Sequence, residues 1–495
     1  MLAPKIFLMV CDGLRPDSID ARRTPNLAAL ARRGVDFRRS HAVFPTVTRA
    51  NSSSLATGVY PRLHGIAGNE LVASSPRGSD KHSVNGGKPF STADADRLHE
   101  LRPSRNGHVL LVPTLADRIH TAGGRTAVVG TGSTGAALLQ NPQVEAPVTG
   151  MDAKRADLLL HPRRFVGLSQ QTIESAHGPI PPRAAPNTAQ NAYFTQLITD
   201  LLIPPTQHDL IIFWHTDPDH SQHSHGLGHP LAHQAIADAD TNLGHILDAI
   251  EQQPEPWLVA ITSDHGFSTI TPVLGDTDIT TTLIEAGLKD SPTSDDVVPI
   301  DGGIYLRDSV TDRGTAIIGA LQRLPGIGPL FSGDGISDAP VLDGTMSRDL
   351  IHGGGDLAPD IQLSVHWSAA VNAHGTVGLC AGAKGRLAGT HGSLSPFEIR
   401  NTLIMAGPGI RAGVSEIPAA IVDIAPTLAH LSGLPWHGPT DGRILHEALT
   451  DGPNPSEIQV TTETLRLATP HGEQILERST VLDHTYVDWG AVVRA

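Results

Sequence analysis

The chain has 495 residues, 39% hydrophobic and 18% charged, which excludes a disordered protein and is enough to bury a large core or more than one domain. A formal charge of -15 without long acidic runs makes a poor landing surface for nucleic acid polymers or anionic lipid, and leaves a small molecule as the expected partner. Only two cysteines occur, Cys11 and Cys380, neither in a CxxC, so no disulfide framework holds the fold.

In chain order, "KIFLMV" (5–10) reads as a buried strand. Its apolar run is too short for a membrane span and lacks a small-residue cleavage site. Asp12 follows at once, and signal-peptide cleavage would remove it, so a cytoplasmic location is expected. "TPNLAALARRG" (24–34) reads as a helix with Thr24 as cap, Pro25 in the first turn and Gly34 as stop. "FPTVTRANSSSLATG" (44–58) is a turn followed by a helix, which Thr48 or Asn51 could cap. Residues 70–108, polar and rich in Gly and Ser, read as a surface excursion.

Further strands are expected at 125–131, 209–215, 257–262, 360–365 and 402–407, and helices at 113–124, 231–253 and 421–433. Such alternation implies an α/β protein, with a mostly parallel central sheet flanked by helices on both faces. Spacing breaks from about 272 to 385, which reads as an inserted smaller subdomain. Residues 1–271 and 386–450 are then the core, and 451–495 a C-terminal extension packed on it.

In an open parallel sheet the ligand lies beyond the carboxyl ends of the strands. Here those ends carry Asp12-Gly13, "TDPDHSQHSHG" after 215 and "SDHG" (263–266). Asp219 and His223, four apart, fall on one side of a helical turn. Asp264 and His265 are adjacent, so both reach one metal only where the strand has ended, and Gly266 permits a turn. A late "GTHG" places His391 between glycines. Singly each signal is weak, since an Asp after a strand is more often a cap or turn-former. Most of His215, His220, His223, His225 and His229 are expected only to pack or order their segment.

Together, Asp12, "FPTVTRANSSSLATGVYPRLHGIAGN" (44–69), "DPDHSQH" (217–223), "SDHG" and "GTHG" resemble the alkaline phosphatase superfamily in order and rough spacing, and most closely its nucleotide pyrophosphatase/phosphodiesterase branch. The resemblance runs from residue 5 to about 445. It implies Thr48 as nucleophile and Asn69 as donor to a non-bridging phosphoryl oxygen. It further implies one zinc on Asp12, Asp264, His265 and Thr48 and another on Asp219, His223 and His391. Two divalent ions about 4 Å apart would serve the attacking and leaving oxygens, and zinc suits the mixed Asp/His ligands, with manganese or iron open by ligand type.

The expected reaction cleaves a phosphodiester or phosphoanhydride of a small molecule through a phospho-threonine. A phosphomonoesterase, a phosphonoacetate hydrolase-like C–P hydrolase and a non-catalytic binding protein are the alternatives. Branch members that cleave nucleotides usually carry Phe after the nucleophile. This chain has Arg49, whose planar fork suits an additional anionic group on the substrate.

Overall fold

The computed structural model describes residues 3–72, 88–145, 157–204, 207–275, 277–307, 311–335, 340–382 and 387–494. Its centre is a nine-stranded sheet ordered 413–415, 35–37, 403–406, 257–262, 5–11, 210–215, 126–130, 158–161, 164–166. Lys5–Cys11 lies parallel between Trp257–Thr262 and Leu210–His215, and Thr126–Gly130 continues parallel beyond them. Leu403–Ala406 and Arg164–Val166 run antiparallel.

The middle strands are apolar almost throughout because both faces are covered. Alternation along the first strand sends Ile6, Leu8 and Val10 into one core, shared with Val47 and with Ala50 and Leu55 of the Thr48–Thr57 helix that follows it. It sends Phe7, Met9 and Cys11 into the other, shared with Leu30, Phe194 and Leu243. Truncating Phe7 to Ala would cost about 3–5 kcal/mol as transfer and cavity terms add.

Register carries the functional consequence. Cys11 pairs with His215 and Val10 with Thr262. Three strands therefore end level, and Asp12, the 216–219 turn and Ser263–His265 leave the sheet at one edge.

Several expectations change in detail. Thr24 does not cap the Pro25–Arg33 helix with its side chain; its hydroxyl bonds Asp20, and the Asp240 carboxylate accepts from the Asn26 and Leu27 amides. Ile361–Val365 is a strand, but it belongs to a separate five-stranded sheet ordered 297–300, 303–306, 361–365, 327–332, 346–347. That sheet covers a cluster of its own that includes Leu283, Ile304, Ile318 and Leu330. Residues 70–108 are not a plain surface excursion: Leu71, Phe90, Leu98 and Leu101 are buried together, while 73–87 lie outside the described residues. At the C-terminus Val460–Thr469, Gly472–Val481 and His484–Arg494 form an antiparallel sheet. Leu476 and Val487 from it pack with Phe44, just ahead of the Thr48 turn. Among the described residues no helix is long and apolar enough to cross a membrane.

Candidate active site

The Thr48–Thr57 helix has no side-chain cap. Asn51 instead reaches back, its oxygen accepting from the Val43 amide and its amide nitrogen donating to the Pro45 and Val47 carbonyls, so it shapes the turn. Thr48 is thereby left as the first helical residue, 4% exposed, with Oγ1 3.4 Å from His265 Nε2. A helix N-terminus concentrates positive potential at that hydroxyl. Asn69 stands beside it: its side-chain oxygen accepts from the Arg49 amide at 3.2 Å, which orients the group and leaves the amide nitrogen to donate elsewhere. The Asn69 carbonyl is fixed in turn by the Thr92 hydroxyl at 2.8 Å.

Asp264 and His265 do follow the end of their strand, as their adjacency requires. Gly266 is there for space rather than for a positive φ, since a Cβ would meet the Phe397 carbonyl oxygen at 2.1 Å. Asp219 and His223 share the short Asp219–His225 helix. His391 arrives from the strand Gly389–Thr390, where a Cβ on Gly389 would meet the Phe267 ring at 2.8 Å and the Ser268 carbonyl at 2.9 Å.

The three imidazoles are held alike. His265 Nδ1 meets the Gly266 carbonyl at 2.9 Å, His223 Nδ1 that of Gly389 at 2.8 Å and His391 Nδ1 that of Thr46 at 2.8 Å. Each carbonyl requires the proton on Nδ1, so each Nε2 turns toward the acids, an arrangement typical of metal-ligating histidine. His265 Nε2 lies 3.2 Å from Asp264 Oδ2 and 3.7 Å from Asp12 Oδ1. The His223 and His391 Nε2 atoms each lie 3.3 Å from Asp219 Oδ1. Those same three carboxylate oxygens are buried and make no hydrogen bond.

Electrostatics follow from this crowding. Burial pushes the Asp12 carboxyl well up, and the charges of Asp264 and Asp219 push it further, against a hydrogen bond from Trp214 Nε1 at 2.9 Å. Burial would raise Asp219 and Asp264 as well, but the charge of His223 holds the first down and that of His265 the second. His391, buried and beside His265, is lowered to about 4. A neutral His391 then turns the Nε2 lone pair toward a carboxylate lone pair, a contact that a cation between them would reconcile. Ligand atoms of Asp12, Asp264 and His265 lie within 4.8 Å of one another, as do those of Asp219, His265 and His391. Two carboxylates that close repel by roughly 3–4 kcal/mol at an effective dielectric of 20, more than the ~1.5–3 kcal/mol of a hydrogen bond to a charged group. The donor set therefore fits divalent cations. All six Asp and His proposed as ligands from the sequence come together, with His265 common to both groups of ligand atoms and stacked on His391 at 3.6 Å between centroids.

Three contributors carry no local sequence signal. Trp214 steadies Asp12 from the neighbouring strand. Thr46 presents the carbonyl for His391, and its hydroxyl donates to Ser393 O and accepts from the Gly392 amide. Glu398, fully buried, accepts from the Ser393 amide at 2.6 Å while its own carbonyl takes the Gly266 amide at 2.7 Å; it thus ties the His391 loop to the His265 loop. Of the remaining histidines, His215 bonds Asp217 O and Asn242, His225 bonds Ala185 O, and His229 caps the Pro230–Glu251 helix. Arg49 is half-buried with Nε unpaired. Burial works against its charge, while Asp12, Asp219, Asp264 and Asp301 favour it.

Comparison with known proteins finds relatives in sequence and in fold. Bis(5'-adenosyl)-triphosphatase ENPP4 of Xenopus laevis is 38% identical over 68 residues, which covers 14% of this chain and only 15% of the relative. Murine ectonucleotide pyrophosphatase/phosphodiesterase 5, in an inactive Thr-to-Ala form in complex with AMP, superposes with a TM-score of 0.59 at 17% identity, over 89% of this chain and 97% of that one. Wild-type alkaline phosphatase PafA superposes with a TM-score of 0.66 at 16% identity, over 91% and 99%. The fold is alkaline phosphatase-like. The profile of type I phosphodiesterase/nucleotide pyrophosphatase matches residues 6–393, most of the chain and every residue of the cluster, and the chain belongs to that family.

Proposed function

We propose that the protein is a two-metal phosphohydrolase that cleaves phosphodiester or phosphoanhydride bonds of small molecules through a phospho-threonine. The observation that carries this reading is the set of three buried carboxylate oxygens without hydrogen bonds, facing imidazole Nε2 atoms beside a threonine at a helix N-terminus. One ion would be held by Asp12, Asp264, His265 and Thr48, and the other by Asp219, His223 and His391. Two divalent ions, zinc by ligand type, would supply Lewis acidity for the attacking and leaving oxygens.

Thr48 Oγ1 forms the bond to phosphorus as its proton passes to solvent, and the ester or anhydride oxygen departs with the bonding pair. Water then cleaves the Thr48–phosphorus bond and restores the hydroxyl. Among the described residues no side chain near Thr48 is free to act as general base, since the His265 Nε2 that approaches it belongs to the proposed ligand set. Asn69 donates from its amide nitrogen to a non-bridging oxygen, worth about 3 kcal/mol if it acts as other oxyanion donors do. The helix N-terminus favours the same anion. Arg49 pairs with a further anionic group on the substrate.

A panel of phosphate diesters, monoesters, anhydrides and phosphonates, assayed on zinc-loaded protein, tests the reading. Diester or anhydride turnover with acid-stable phosphate on the Thr48 peptide supports it, and phosphate on any other residue contradicts it. Arg49→Ala should lower kcat/KM more for the more anionic of two matched substrates, and equal losses would remove Arg49 from selectivity.

A further inference from the structure

Between the helices Gln170–His177 and Thr188–Leu197 the chain runs without regular structure as "GPIPPRAAPN" (178–187). The segment is nonetheless tied down along its length. Tyr193 OH and Gln190 Nε2 donate to the Gly178 and Pro181 carbonyls, both at 2.8 Å, and His225 Nε2 lies 3.1 Å from the Ala185 carbonyl. The Asn187 amide donates to Asp217 Oδ2 at 2.8 Å, and Asn191 Nδ2 to the same oxygen at 3.1 Å. Asp217 stands two residues before Asp219, so the loop is fixed to the turn that carries one of the proposed ligands.

The only charged residue of the loop is Arg183, and this anchoring sets its guanidinium at the carboxyl edge of the central sheet. One Nη lies 3.5 Å from the Gly132 carbonyl and the other 3.3 Å from the Thr216 hydroxyl. Gly132 lies against Trp214, whose indole holds Asp12. Both contacts are long for a guanidinium, which closes on an anion to about 2.7–2.9 Å, and among the described residues Arg183 forms no ion pair. Partial burial and the neighbouring Arg163 work against its charge, while Asp219, Asp217 and Asp12 favour it from a distance. These carboxylates are already engaged: Asp12 and Asp219 belong to the proposed ligand set, and Asp217 accepts from Ser221 besides the two asparagines.

We propose that Arg183 is a specificity-determining residue that binds an oxyanion carried by the leaving group, a phosphoryl or carboxylate group set just beyond the departing oxygen. The inference rests on the phosphohydrolase reading above and deepens it. The departing oxygen of an in-line displacement leaves on the side away from Thr48. That side is the one assigned to the Asp219, His223 and His391 set, and Arg183 contacts the turn that carries Asp219 at Thr216. A planar fork held in place with donors to spare suits an oxyanion, whereas an uncharged leaving group would leave those donors to solvent. Arg49 enters from a different element, directly after Thr48, so the two arginines are separable by mutation.

The test measures kcat/KM for the zinc-loaded full chain, wild type and Arg183→Ala, on three substrates. Methyl 4-nitrophenyl phosphate has an uncharged leaving group, methyl 3-carboxy-4-nitrophenyl phosphate a carboxylate one and P1,P2-dimethyl pyrophosphate a phosphoryl one. The wild-type to variant ratio is taken for each substrate, so intrinsic reactivity cancels, and a misfolded fraction of the variant scales all three ratios alike. The inference predicts a ratio roughly tenfold or more larger for an anionic leaving group than for the uncharged one, and which of the two anions shows it names the group. 4-Nitrophenyl phosphate carries its extra charge on the scissile phosphoryl group itself and serves as the control. Equal ratios on all four substrates, or the largest ratio on 4-nitrophenyl phosphate, overturn the inference while the phosphohydrolase reading stands. Turnover of none of them by wild type overturns that reading and the inference with it.

Discussion

Two buried groups of ionised side chains in this protein differ in one respect. Around Arg443 every polar atom is used: both Glu447 oxygens accept from its guanidinium at 2.6 and 2.8 Å, Tyr486 OH and Pro418 O take two more of its N–H groups, and Asp423 accepts from the Arg443 and Ala420 amides and from Tyr486 OH. Around Thr48, Asp12 Oδ1, Asp219 Oδ1 and Asp264 Oδ2 are as deeply placed and accept nothing. Burial alone therefore does not mark a functional site. A satisfied network holds the 423–447 segment to the C-terminal sheet, whereas a consistent deficit of donors, all pointing to one spot, marks a place for something the chain does not itself supply.

The sharpest way to break this contrast is at Thr48. Thr48→Ala should reduce diester turnover at least roughly a thousandfold, about 4 kcal/mol of barrier, with an unchanged circular dichroism spectrum and zinc still retained through the Asp and His ligands. Turnover within tenfold of wild type would remove Thr48 as nucleophile.

Next in size is the satisfied network. Arg443→Leu strands Glu447 and Asp423 in the core and should cost about 3–5 kcal/mol, read as a lowered denaturant midpoint that is the same with and without zinc. In the deficient cluster Asp264→Asn should do the reverse. It removes a repelling charge, so the chelator-treated protein should change by no more than ~1 kcal/mol, while the rise in melting temperature on adding zinc shrinks or disappears. If Asp264→Asn destabilises the chelator-treated protein as much as Arg443→Leu does, the two regions are alike and the contrast fails.

The smallest effect concerns the partly buried trio of Glu145, His99 and Arg164. His99 and Arg164 hold the Glu145 carboxyl down to about 2, against the effect of partial burial. A carboxylate depressed in the folded state contributes above its unfolded value near 4.5, and that contribution is lost as pH falls from there toward 2. Solvent screening leaves it at about 1 kcal/mol. Glu145→Gln should therefore flatten the stability profile slightly below pH 4.5 and nowhere else.

Much of the site was legible because its residues sit where buried strands end. Asp12 and "SDHG" announce themselves after apolar runs, and Asp219 and His223 by helical spacing. What was illegible depends on distant partners. Nothing local to "TPNLAAL" says that Asp240, more than two hundred residues on, caps its helix in place of Thr24. Nothing in "PFEIR" says that Glu398 joins the loops carrying His265 and His391. Likewise "DIQLSV" reads as a strand but not as a member of a second sheet, since its partners are set by register with 303–306 and 327–332.

The donor-poor cluster is expected to bind two divalent cations. Elemental analysis of chelator-stripped protein after equilibration with micromolar zinc and removal of free ion tests it most directly. Two zinc ions per chain are expected in wild type, with a loss of stoichiometry in Asp219→Asn and Asp264→Asn, and no loss in Arg443→Leu under conditions where it is folded. Wild-type protein that retains no metal would contradict it.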